Sequence, residues 1–364
     1  MDNLSLIIAY RKSFDGAARV ASSGSKLSLR NPLTNSSFFL TAIGKAEDAQ
    51  VILENCLDKD TVYKFLRPWL GQGLFIAPLG LWKNHRRVLL PVFHNKVVEE
   101  YLQIISDQAN ILLERLAEES GKREFDVLRY ITACTLDVVF DGRIKTVLDM
   151  LFGREIDFTD EQLREHIDSI TIAGNDTTAL VIAYTLVLLG IHQDAQERVF
   201  EEQQSIFKNS KQGATKEDLR CMNYLERVIK ESMRLYTVVP IIARNVDKEI
   251  YLPHSKVTIP VGVGAVVGAF AIHRSVDEWG SNANEFDPDR FLPERSDNRH
   301  PAAFIPFSYG SRNCIGRNFG MLIMKSIISS IIRTYKIEAN EVGPLKIEVL
   351  LFPIRGHQVK ITKR

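Results

Sequence analysis

The sequence predicts a mainly α-helical fold with small β-sheets, and three observations lead there. Apolar residues keep a helical rhythm from Thr159 to Gly190, and Thr159 and Gln162 stand at capping-box spacing. Between Val246 and Phe270 the period changes to two, as in Val257, Ile259 and Val261, which predicts a small antiparallel sheet. From 280 to 313, four prolines and little periodicity give a long ordered loop that leads straight into another apolar helix.

In chain order, residues 1–45 are rich in Ser, Gly and Asn, and short alternations such as Lys26-Leu27-Ser28-Leu29 predict weak strands and turns. Residues 46–136 are mostly helical in period, with one segment near Trp82 and a longer one from about Asn95 to Glu119. The 159–190 helix would be a rod of about 45 Å, enough to cross a whole domain. Further helices are predicted at 193–208, 216–236 and 315–334. Lys346–Val349 and Val359–Ile361 are predicted to close as a hairpin.

The 364 residues, 45% apolar and 25% charged, have an ordinary globular composition. With 46 Lys and Arg against 45 acidic residues, the net charge of +1 does not suggest a nucleic-acid protein, although it leaves room for a local basic face. Four scattered cysteines, Cys56, Cys134, Cys221 and Cys314, argue against a disulfide framework and for a reducing compartment. The apolar runs Leu6–Tyr10 and Ala179–Ile191 are too short to span, so no transmembrane segment or leader is expected. The eight histidines form no HxH or HxxxH pair, and no GxSxG or Gly-rich phosphate loop is present.

The chemistry concentrates in Phe307-Ser308-Tyr309-Gly310-Ser311-Arg312-Asn313-Cys314-Ile315-Gly316. A cysteine at a helix N-terminus meets backbone N–H donors and the positive end of the dipole, which favours its thiolate. Gly310 and Gly316 allow a tight backbone and the close approach of a flat ligand. Arg312 sets a fixed positive charge beside any acidic group of that ligand. A lone structural cysteine is the plainer reading, but it leaves the other four fixed positions without a reason.

With these residues the chain resembles the cytochrome P450 monooxygenases, whose haem-ligand loop reads FxxGxRxCxG. The resemblance implies one domain over 1–364, haem b as cofactor, and Cys314 as axial ligand, with Phe307, Arg312 and Gly316 around it. A thiolate ligand pushes electron density onto iron and favours O–O cleavage. Ala173-Gly174-Asn175-Asp176-Thr177-Thr178 is similar to the family's oxygen-activation motif. Small Ala173 and Gly174 would let the helix approach the haem face, and Asp176 and Thr177 would relay protons. Read on their own, Asp and Thr in mid-helix hydrogen-bond nearby backbone groups, Thr donating to a carbonyl, and bend the helix.

Trp82 and Arg86 resemble the pair that donates to a haem propionate, and Arg244, four residues after Pro240, is a further propionate candidate. ExxR occurs three times, at Glu161/Arg164, Glu217/Arg220 and Glu231/Arg234. Only the last is followed by Leu235-Tyr236 and Pro240 as in the family. With Arg290 it resembles the group that supports the Cys loop; a solvated ion pair is the alternative. His273 reads as structural.

Phe286–Glu294, the run Arg143–Leu151 and Pro91–His94 point to family 4, with an arthropod flavour. Relative to that family, an N-terminal anchor with its proline-rich hinge is missing. So is a segment between Phe140 and Asp141 that carries helices roofing the substrate cavity. Ala173 stands where family 4 often has a Glu that some members esterify to haem. The implied function is monooxygenation of a lipophilic small molecule. Electrons would come from NADPH through a reductase docking near Cys314, where Arg317 and Lys325 could supply positive charge. The implied location is the cytosolic face of the endoplasmic reticulum, with peripheral membrane association. The alternative is a truncated haem-binding product without catalysis.

Overall fold

The computed structural model describes residues 26–30, 37–59, 61–93, 101–140, 158–208, 210 and 212–364. The Phe140/Asp141 junction, the run Arg143–Leu151, His94 and the expected helical onset at 95 lie wholly or partly outside them. Apart from short helical turns, the described strands and helices are, in order, β1 (Lys26–Arg30), β2 (Ser37–Ile43), α1 (Ala46–Asn55), α2 (Leu79–Leu89) and α3 (Leu102–Ala117). There follow β3 (Phe125–Asp126), α4 (Leu128–Phe140), α5 (Asp160–Ile191), α6 (Gln193–Phe207), α7 (Lys216–Cys221) and α8 (Asn223–Leu235). The remainder is β4 (Ile242–Asn245), β5 (Ile250–Leu252), β6 (Val257–Ile259), β7 (Gly264–Val267), α9 (Arg317–Thr334), β8 (Tyr335–Glu338), β9 (Leu345–Glu348), β10 (Leu350–Pro353) and β11 (Gln358–Lys363). Helices dominate and the sheets are small, as the sequence predicts.

Helix α5 begins where its cap requires. Thr159 accepts from the Gln162 N–H and Gln162 returns the bond to Thr159, so two orphan donors are satisfied together. By length and composition α5 could cross a membrane, but its apolar stretch lies mostly inside the protein, packed with α3, α4, α8 and α9. It is the core's central rod. The helix predicted over 216–236 is instead two, broken at Met222. The Glu202 carboxylate of α6 accepts the N–H groups of Tyr224 (2.6 Å) and Leu225 (3.0 Å), capping α8 from outside the local sequence.

Two strand expectations are corrected. β5 and β6 do pair antiparallel, but β7 runs parallel to β2, Leu40 opposite Gly264, and antiparallel to β4. The sheet is therefore mixed and draws on chain more than 200 residues apart. At the C-terminus β9 pairs with the adjacent β10, while β11 joins β8 and β3. A period of two marks strands but carries no address for the partner.

Candidate functional site

The Cys314 loop closes on itself before α9 starts. The Cys314 N–H donates to the Phe307 carbonyl (2.9 Å), and Ser308 and Gly310 take left-handed φ of 62° and 70°. A Cβ on Gly310 would stand 2.5 Å from the Leu53 carbonyl oxygen, so the close approach to α1 demands glycine here. Arg312 donates to the carbonyls of Leu57 (2.6 Å) and Ala77, and its guanidinium lies 4.8 Å from the Trp82 ring centre. Arg86, one helical turn after Trp82, donates to the main-chain and side-chain oxygens of Asn313 at 2.8 and 2.7 Å. Trp82, Arg86, Arg312 and Cys314 are thus gathered at one place.

Cys314 exposes much of its surface, yet it is so surrounded by protein that desolvation is the largest influence on its thiol, pushing the pKa up. The surface it shows therefore belongs to an enclosed space. The Gly316 N–H, Arg86 and Arg317 pull the other way, as a helix start should, but burial outweighs them. The sequence-based expectation of a favoured thiolate is corrected to that extent; a bound cation would reverse the balance.

On α5, Ala173 is exposed amid a helix that is otherwise largely buried. Thr178 approaches Gly320 of α9 (3.8 Å to a Cβ built there), so α5 is laid across the first turns of α9. Thr177 donates to the Ala173 carbonyl at 2.5 Å, the mid-helix bond that its residue type favours. Burial raises the proton affinity of Asp176. At Gly174 a Cβ would meet only Val139 of α4, at an ordinary 3.7 Å. Gly174 thus lies next to α4, whereas Ala173 is exposed.

Glu231, Arg234 and Arg290 are buried, so the solvated-pair reading is excluded. Arg234 forks onto Glu231 with two bonds of 2.7 Å, and Arg290 lies 3.5 Å from the same carboxylate. The group holds the chain from His273 to Asp287, not the Cys loop directly. Arg234 donates to the carbonyls of His273 (2.8 Å) and Ala283 (2.6 Å), and the Asp287 N–H donates to Glu231. His273 passes this on: its Nε2 accepts the Ile305 N–H at 2.8 Å, two residues before Phe307.

Three basic side chains, Arg244, Lys59 and Arg312, lie near one another. Arg244 is buried, donates to its neighbour's carbonyl, and leaves Nε without a partner. Burial first, and then Arg244 and Arg312, drive the Lys59 pKa well down. Burial and Arg244 also lower Arg312, to about 10, with Asp58 partly offsetting them. Lys59 bridges Arg244 through the backbone and lies over the rings of Tyr63 (4.4 Å) and Phe75 (4.3 Å). Among the described residues no ion pair neutralises these three. Basic side chains withdrawn from water without an acidic partner fit a ligand bearing carboxylates, so the residues present suit a haem. Lys59 and Asn313 escaped the sequence analysis; Asn313 lay inside the motif, whereas nothing local marks Lys59.

Lys325 is also corrected: it is buried and bonded to Glu226 at 3.0 Å, so it offers no surface charge. Arg317 remains exposed.

The Cytochrome P450 family model matches residues 47–155 and 141–361. The chain is 30% identical to human Cytochrome P450 4V2 over 426 residues, covering 89% of the chain and 80% of that protein. It is 32% identical to Cytochrome P450 4c3 of Drosophila melanogaster, covering 85% and 76%. With Cytochrome P450 4c21 of Blattella germanica the identity is 28%, covering 88% and 83%. These alignments, up to 426 residues, are longer than the 364-residue chain, so the relatives hold residues for which it has no counterpart.

Proposed function

Because the chain belongs to the cytochrome P450 family, a family of haem monooxygenases, we propose that Cys314 is its haem-iron ligand and that it oxygenates a lipophilic small molecule. The observation that carries this is the Cys314 thiol, presented at the start of α9 to an enclosed space, on a loop that the buried Arg312 anchors. Haem bound through a thiolate supplies the cleavage of dioxygen.

Every other part belongs to the chain's own residues. Arg86 and Arg312 hold the Cys loop in register, while Trp82, Arg244 and Lys59 receive the carboxylates. Phe307 and Gly316 border the thiol, and Ala173 leaves room on the opposite wall. Asp176 relays a proton through a carboxyl whose proton affinity burial raises, and Thr177 presents a hydroxyl one turn from Ala173. Glu231, Arg234 and Arg290 act through His273 as support. Electrons come from NADPH through a reductase at the Arg317 side, on the cytosolic face of the endoplasmic reticulum.

The test is the spectrum of the reduced, CO-treated protein. A thiolate-type band is expected, absent in Cys314→Ala and present in Cys56→Ala, Cys134→Ala and Cys221→Ala. Its persistence in Cys314→Ala refutes the assignment.

A second reading, a haem-binding product with little catalysis, is favoured by the alignment lengths and by exposed Leu136 and Phe140 at the end of α4. Those side chains would be covered if a roofing segment followed Phe140. Tight coupling of NADPH use to product in the chain as it stands would exclude this reading.

A further inference from the structure

We propose that Thr135 and Asn175 are positioning residues for Asp176, joined to it in a hydrogen-bonded chain that crosses from α4 to α5. This rests on the reading of Asp176 as a proton-holding group. The Thr135 hydroxyl donates to Asn175 Oδ1 at 2.5 Å, and Asn175 Nδ2 donates to Asp176 Oδ1 at 3.3 Å. Thr135 is fully buried and Asn175 nearly so. The Ile131 and Thr132 carbonyls also lie within reach of that hydroxyl, at 3.0 and 3.2 Å, but its one proton goes to the shortest contact.

The directions are not interchangeable while Asp176 is ionised. Its carboxylate accepts only, so Asn175 must turn its NH2 to Asp176 and its oxygen toward α4. That oxygen then needs a donor inside the protein, and Thr135 is the group that supplies it. The Thr135 hydroxyl therefore fixes which end of the amide faces Asp176. Burial is the influence resolved on that carboxyl, with no charged side chain from a described neighbouring element adding to it. The amide is thus the polar side chain bonded to that carboxylate, and it orients it.

A hydrogen bond to the charged form lowers a carboxyl's pKa, so losing it raises the pKa. The protonated carboxyl band of Asp176, identified by its loss in Asp176→Asn, can be followed against pH by infrared spectroscopy on the full chain. Asn175→Leu should raise the midpoint by about one pH unit, a tenfold change in proton affinity. Thr135→Val should raise it by a smaller amount, and Thr135→Ser should keep the parent value. Added to Asn175→Leu, Thr135→Val should shift nothing more, since Thr135 acts through Asn175. No shift in Thr135→Val, or the same shift with Asn175 already removed, overturns the proposal. If Asn175→Leu does not fold, the contrast between Thr135→Val and Thr135→Ser decides. The midpoint is read without turnover, so it stands or falls apart from the CO band that tests the haem-thiolate reading.

Discussion

Arg86 of α2 holds Asn313, the residue before Cys314, by both its main-chain and side-chain oxygens at 2.8 and 2.7 Å. A forked guanidinium on two oxygens fixes direction as well as distance, so the Cys loop is tied to α2. The sequence resemblance assigned Arg86 to a propionate; its visible bonds are to the loop itself.

Arg86→Leu should therefore cost about 1–2 kcal/mol of stability, since charge-assisted bonds are lost at a half-buried site. Urea unfolding measures it, and Asn313→Ala should add less in the Arg86→Leu background than alone, because the two share the bond to the Asn313 side chain.

Two glycines should behave oppositely. Gly310→Ala, with φ of 70° and a Leu53 oxygen 2.5 Å from the new Cβ, should cost at least about 2 kcal/mol and lower haem retention. Gly174→Ala meets only Val139 at 3.7 Å and should be neutral, or stabilise α5 by up to about 1 kcal/mol. Thermal melting of both variants checks the pair.

Glu231→Gln would leave Arg234 and Arg290 buried around a neutral amide. Removing one partner of a buried ion pair costs about 3–5 kcal/mol, so a poorly folded chain is expected. Partial proteolysis should cut first between 273 and 290, the segment whose carbonyls Arg234 and Arg290 hold.

Stability should fall as pH drops below 6.5. Burial, with Arg234, lowers His273 to about 3, and burial lowers His166 and His357 to about 4 and His85 by a smaller shift. The unfolded chain binds these protons near 6.5 and the folded chain does not, so unfolding takes up protons between 6.5 and about 4. Each imidazole contributes up to about 1.4 kcal/mol per pH unit there. Melting temperatures measured from about pH 7 down to about pH 5 should show the decline, and His273→Gln should flatten it by about one proton. A flat profile across that window would contradict the neutral, buried imidazoles.

Haem bound to this chain should come away in acid and organic solvent, because Ala173 has no carboxylate with which to form an ester. Haem retained by the polypeptide through denaturing chromatography would show otherwise.

What the sequence determined by itself was local. The Thr159–Gln162 cap, the rod of α5, the Glu231–Arg234 pair and the Cys314 loop each form within a few residues, where periodicity, capping and spacing act directly. Their types and near-correct limits were legible for that reason. Tertiary structure decided everything that needs a distant partner: β7 lying parallel to β2, Glu202 capping α8, and His273 linking Arg234 to Ile305. It also decided enclosure. Lys59 looks like any surface lysine in the sequence, and only the fold lays it over Tyr63 and Phe75 with Arg244 and Arg312 close enough to lower its pKa. Ala173 and Gly174 read as the small residues of the cofactor face, and the rotation of α5 against α4 decides that Gly174 lies next to Val139. Desolvation and helix rotation are properties of the assembled chain, and no spacing of residues along it encodes them.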